Sequence, residues 1–212
     1  MKCRTTALLL VASWTLLALD EAIKRKFLSD VHQALVLKSG SVVADVGTGD
    51  DPLHPLAIAA VVGRTGRVVC VDIDQTALDK LKKNFSMEAM NVVTQLGKVD
   101  DPMLSPASFD SVLISNAYHE MTEHEAMLLH IRQALKPNGR LVIIELFDEN
   151  RRQQPREQQT KKHEFPPELL DAELQAAGFE IVSRVEPLLR DGSEIKYLIA
   201  ARPRRSGRGS RT

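Results

Sequence analysis

Five short apolar runs, separated by helical or turn-punctuated stretches, constrain this chain more than any other feature. Ser41 to Val46, Arg67 to Asp72, Asn91 to Leu96, Phe109 to Ser115 and Arg140 to Phe147 are rich in Val, Ile and Leu and do not alternate with polar residues. Strands of that kind have no wet face, so they belong in a parallel sheet covered on both sides. Helical patterns at Leu56 to Val62, Thr76 to Phe85 and Glu123 to Leu135 lie between them, while the third connection is broken by Pro and Ser. An amphipathic helix over Asp20 to Leu37, with Ile23, Phe27, Leu28, Val31 and Leu35 three or four residues apart, precedes the first strand. A helix from Pro166 to Ala177, stopped by Gly178, leads to two closing strands, Phe179 to Val185 and Ile195 to Ala201, joined across Asp191-Gly192. The alternation predicts an α/β fold with a doubly wound, mostly parallel sheet.

The 212 residues suffice for one substantial domain, assigned to residues 20–202. Lys plus Arg and Asp plus Glu balance at 28 each, so no global field calls for a nucleic acid or a membrane as partner. Cys3 and Cys70 fit neither a disulfide framework nor paired metal ligands. Residues 1–19 begin with two basic residues and continue as a short apolar run, the pattern of a signal peptide, and predict an exported or membrane-attached protein. The alternative is a cytoplasmic protein whose first helix is apolar. Residues 203–212 form a basic tail rich in Gly and Ser, predicted to be disordered. Asp148 to Glu164 reads as a polar loop or lid, and its Arg151, Arg152, Arg156, Lys161 and Lys162 hint at an anionic small molecule.

Chemistry concentrates where strands end. The first run stops at Asp45-Val46-Gly47-Thr48-Gly49, and glycines at that point let the backbone turn sharply and approach a ligand. The second run ends at Asp72, whose two oxygens can accept from a pair of ribose hydroxyls, and Asp100-Asp101 follow the third. A dinucleotide fingerprint is excluded because its third glycine would fall on Pro52. After the fourth run come Asn116, Tyr118, His119 and Glu120, candidates to touch a cofactor or to bind and deprotonate an acceptor. His119 and His124 are five apart and fall on different helical faces, so no metal site is predicted, and His130 and His163 read as surface residues.

Val43 to Gly49, Val71-Asp72-Ile73-Asp74, Ser108 to Leu113 and Leu135 to Ile143 together resemble the class I S-adenosylmethionine-dependent methyltransferases. The resemblance implies a Rossmann-like seven-stranded sheet with an antiparallel last strand. It also implies S-adenosylmethionine as cofactor, with Asp45, Gly47, Thr48 and Gly49 along its methionine part and Asp72 on the ribose. Ile73 would face the adenine, Val99 with Asp100 or Asp101 would meet its edge, and Asn116 would touch the cofactor. Tyr118, His119 and Glu120 would serve a small-molecule acceptor. The family's third loop glycine is replaced by Asp51, which motivates one alternative, a non-catalytic binding or scaffold protein with the same fold. As a helix cap, Asp51 is expected to turn its carboxylate back toward the following helix.

Overall fold

The computed structural model describes residues 21–85 and 91–204; the proposed leader and nearly all of the basic tail lie outside these residues. A first helix, α1, covers residues 21–34. The chain then alternates β1 (Val42–Val46), α2 (Leu53–Val62), β2 (Arg67–Asp72), α3 (Gln75–Asn84), β3 (Val92–Leu96), β4 (Phe109–Ser115), α4 (His124–Ala134) and β5 (Leu135–Asp148). A short α5 (Arg156–Thr160), α6 (Pro167–Ala176) and the hairpin β6 (Phe179–Asp191) and β7 (Glu194–Pro203) complete it. The seven strands form one sheet in the order β3-β2-β1-β4-β5-β7-β6. β1 to β5 are mutually parallel, and β7 runs antiparallel to both β5 and β6.

Neighbouring residues on each strand serve opposite cores. Ala44, Val112 and Ile143 pack on one face with Leu128 and Ile131 of α4 and Leu170 and Leu174 of α6. Val43, Leu113 and Val142 pack on the other with Phe27 and Val31 of α1, Leu35 just after it, and Ile58 and Val62 of α2. That two-sided burial is why these strands lack the polar alternation of a half-exposed sheet. At α2, Pro55 is tolerated because it falls in the first turn, where backbone N–H groups have no intrahelical partner.

Two departures from the sequence reading have physical causes. The Lys136-to-Gly139 turn is drawn into β5, because Leu135 already pairs with Phe109 and the register shifts before resuming at Ser111 with Arg140. The polar stretch Asp148 to Glu164 is not a loose lid. Arg151 pairs with Glu164 and Asp148, Arg152 with Glu149, Glu168 and Glu186, and Arg156 with Glu173. Gln159 and Phe165 are fully buried beneath it. The arginines that hinted at an anionic ligand therefore neutralise carboxylates of this same chain. Most of those carboxylates come from residues 164–186, whose proximity no local pattern reveals.

Candidate active site

The carboxyl ends of β1 and β4 lie side by side at the point where the strand order reverses, the place where open α/β sheets hold ligands. Gly47 and Gly49 both have positive φ, at 72° and 60°. A Cβ on Gly47 would stand 2.5 Å from the Cβ of Ala117 after β4, so the two loops pass too closely for any side chain there. At Gly49 an added Cβ would meet nothing within 4 Å, leaving open space beside the backbone.

Asp72 ties the loop after β1 to the turn after β2. One carboxylate oxygen accepts from the Gly49 N–H at 2.8 Å and the other from the Asp74 N–H at 2.9 Å. Each oxygen keeps further acceptor capacity toward the cleft. That cleft, of about 470 Å³, is lined by Gly47, Gly49, Asp72, Ile73, Val99 and Asn116 among others. Ile73 and Val99 are 59% and 53% exposed, apolar surfaces left open on either side of a paired carboxylate. A flat aromatic ring with a dihydroxy sugar satisfies both requirements, so the residues present fit the adenosine part of S-adenosylmethionine.

Across the glycine loop lies a second cleft, of about 600 Å³, which shares Gly47, Gly49 and Asn116 with the first. Asp45, Thr48, Asp51, Phe27, His54, Ser115 and Lys196 line it. The Thr48 hydroxyl donates to Asp45 at 3.0 Å. Burial, the largest influence, pushes the Asp45 carboxyl up to about 7, and the charges of Asp51 and Asp72 push the same way against the Thr48 bond. Burial likewise pushes His54 down to about 4, so its imidazole is neutral. Its Nε2 lies 3.1 Å from the Ser115 hydroxyl, and its buried Nδ1 has no partner. Asp51 accepts from the Leu53 N–H at 2.9 Å, so its carboxylate does turn back onto α2, although Pro52 occupies the capping position.

Other candidates fall elsewhere. Tyr118 is fully buried and donates to Glu173 at 2.7 Å, packed edge-on against Phe165, and contributes to the core rather than to either cleft. His119 is 4% exposed, with Nδ1 2.9 Å from Glu145. Burial pushes its imidazole down, but the Glu145 bond and the charges of Glu145 and Glu120 outweigh that and leave it raised. His163, read as an isolated surface residue, comes to 3.3 Å from His119. Among these three only Glu120 lines the first cleft. Asp100 and Asp101 do not line it: Asp101 accepts from the Met103 N–H at 2.7 Å, and the Asp100 carbonyl meets His130. Gly97, Lys98, Met121 and Thr122 occupy the wall instead, without any sequence signal. His54, Ser115 and Lys196 were equally silent, because a helix, a strand end and a hairpin meet there only in three dimensions.

Comparison with known proteins agrees with this geometry. A family model described as a methyltransferase domain matches residues 37–199, and the chain belongs to that family, the class I S-adenosylmethionine-dependent methyltransferases. A ubiquinone/menaquinone biosynthesis C-methyltransferase of Hydrogenovibrio crunogenus is 31% identical over 111 residues, covering 51% of this chain and 43% of that protein. A demethylmenaquinone methyltransferase of Lactobacillus johnsonii is 33% identical over 116 residues, 52% of this chain and 46% of its own. The matches thus span about half the length of these curated relatives. A SAM-dependent methyltransferase from Aquifex aeolicus shares the fold, with a TM-score of 0.69 at 22% identity over 82% of this chain and 88% of its own.

Two outcomes are expected. Asp72→Ala removes charge-assisted acceptance and loosens the Gly49 loop, so calorimetry should show cofactor binding weakened by about 2–3 kcal/mol; unchanged affinity in the folded variant would remove Asp72 from the ribose site. The second follows from the sign of the Asp45 shift. The folded protein holds this proton up to about pH 7, against 3.8 for the ordinary group, so the native state binds more protons between those values. Stability from this residue is therefore fully present below the lower value, falls as pH rises toward 7, and levels off above it. Urea unfolding of Asp45→Asn, which keeps an acceptor for Thr48, should lack that slope, by up to about 1.4 kcal/mol for each pH unit; parallel pH profiles in the two proteins would refute it.

Proposed function

We propose that this chain transfers a methyl group from S-adenosylmethionine to a small, largely apolar acceptor bearing an oxygen function. The carrying observation is that the two clefts share Gly47, Gly49 and Asn116 in their linings, which sets an adenosine site beside a second cleft able to take both the cofactor's cationic end, at Asp45, and the acceptor. When bound, the cofactor supplies an electrophilic methyl on a sulfonium sulfur. Asp72 would hold the ribose, Ile73 and Val99 the adenine, and Asp45 a cationic group whose charge offsets the burial of the carboxylate.

The second cleft supplies the acceptor's surroundings. Phe27, Ile23, Leu53 and Leu189 give an apolar wall, and Lys24 and Lys196 give two cations. Burial keeps His54 neutral, and beside Ser115 its role is to position an acceptor hydroxyl rather than to carry charge. The two relatives, one named as a ubiquinone/menaquinone biosynthesis C-methyltransferase and the other as a demethylmenaquinone methyltransferase, support a quinol-type acceptor.

The test supplies methyl-labelled cofactor with a reduced naphthoquinone probe, in parallel with a filtered cell extract. Label should appear in a small molecule, and His54→Ala should lower turnover about 10–100-fold while cofactor affinity stays within about twofold. Calorimetric cofactor binding with no label in the probe or in any small molecule of the extract would favour a non-catalytic role.

Residues 1–19 are further proposed to direct export or membrane attachment, a reading supported by their basic start and short apolar run. No helix among the described residues is long and apolar enough to cross a membrane. A reporter fused to residues 1–19 should be exported or membrane-bound; a wholly soluble cytoplasmic reporter with its leader intact would dismiss the proposal.

A further inference from the structure

The cluster beside the first cleft has a geometry that methyl transfer does not use. His119 Nε2, His163 Nδ1 and Glu120 Oε1 form a triangle with edges of 3.3, 3.6 and 3.7 Å. The three donor atoms come from two separate segments, the turn after β4 and the end of the stretch after α5.

Donor spacing distinguishes the kinds of ion that would fit. Four ligands placed tetrahedrally about 2.0–2.1 Å from a zinc ion stand about 3.3–3.4 Å apart. Ligands adjacent in an octahedron at about 2.1 Å stand only about 3.0 Å apart. The observed edges of 3.3–3.7 Å lie on the tetrahedral side of magnesium's spacing; calcium, with ligands at about 2.3–2.6 Å, would space them similarly, so the donor atoms decide between calcium and zinc. Two imidazoles and one carboxylate are also the donor chemistry of zinc rather than of calcium or magnesium.

The surroundings point the same way. Glu145 is completely buried, and its two oxygens meet the His119 backbone N–H at 3.1 Å and ring Nδ1 at 2.9 Å. A proton on Nδ1 directed at that carboxylate leaves the lone pair of Nε2 facing His163 and Glu120, as in carboxylate–histidine–zinc arrangements. The side chains of His163 and Glu120 are 73% and 65% exposed, so an ion held there has one anchored ligand and an open approach from solvent.

We propose that His119, His163 and Glu120 bind a divalent ion of the zinc class, with Glu145 as the positioning residue that orients His119. Because Glu120 also lines the first cleft, the ion would clip the stretch after α5 to the cleft's rim. The inference does not depend on the methyl acceptor.

The test uses the full chain without a histidine tag, stripped by a chelator and titrated with zinc alone against a chromophoric competitor. The wild-type chain should bind one equivalent. His163→Ala and Glu120→Ala, both at exposed positions where folding is not at stake, should each weaken binding about tenfold or more, and Glu145→Gln about 10–100-fold. His130→Ala, a histidine outside the cluster, should bind as wild type. Absence of a stoichiometric zinc site in the wild-type chain, or wild-type affinity in both His163→Ala and Glu120→Ala, would overturn the proposal. Cofactor affinity measured on the same samples separates this result from the fate of the methyltransferase reading.

Discussion

Everything functional here depends on how closely the loops after β1 and β4 pass. Gly47 stands so near Ala117 that a Cβ would come within 2.5 Å of its neighbour, and that closeness comes from the strand order. The chain lays down β1, β2 and β3 in one direction and then returns to place β4 against β1. Helices on opposite faces separate the connections at that boundary, leaving a crevice above the strand ends. Glycine lets the backbone form the crevice's floor. Asp72 then holds the Gly49 side in place by accepting from its N–H, while its other oxygen accepts from the Asp74 N–H after β2, so the loop is shaped before any ligand arrives.

Burial of charge separates residues that support the fold from those that weaken it. Arg151, Arg152 and Arg156 end in carboxylates of neighbouring elements and convert a polar segment into a fixed layer. Asp45 is buried with, among the described residues, only the Thr48 hydroxyl as a side-chain donor, and its raised carboxyl marks a group that disfavours the folded state when charged. A cation in the adjoining cleft reverses that sign. Glu145 is buried more deeply still, yet both its oxygens are engaged by His119. The first arrangement suits a ligand that comes and goes, the second a side chain that must be held in one orientation.

Much of the fold was legible because burial on both faces of a parallel sheet writes itself into continuous apolar runs. β2 and β4 match their predicted limits, and most other elements differ by an end residue or two, α2 starting at Leu53 just after its expected cap at Asp51; α1 ends three residues early, β5, β6 and β7 run longer, and α5 falls in a stretch that reads as a loop. The lining of the first cleft was equally legible, because it is assembled from residues immediately following strands: Gly47, Gly49, Asp72, Ile73 and Val99 all line it. Position along the strand specified their place. Tyr118 and His119 followed a strand too, but the short helical turn at Tyr118–Glu120 directs both into the interior. A sequence shows that a residue follows a strand, not which way such a turn rotates it.

By itself, then, the sequence determined the class of sheet, its flanking helices, the glycine loop and the acid that braces it, because each is governed by local backbone freedom or by periodic burial. Tertiary structure alone decided the second cleft, where His54 of α2, Ser115 of β4 and Lys196 of β7 converge. It alone brought His163 to His119 across 44 residues and matched the arginines after β5 with their carboxylates. Contacts between residues so far apart depend on the packing of whole helices and strands, and that packing is fixed by the summed burial of many side chains. No single stretch of chain carries the information.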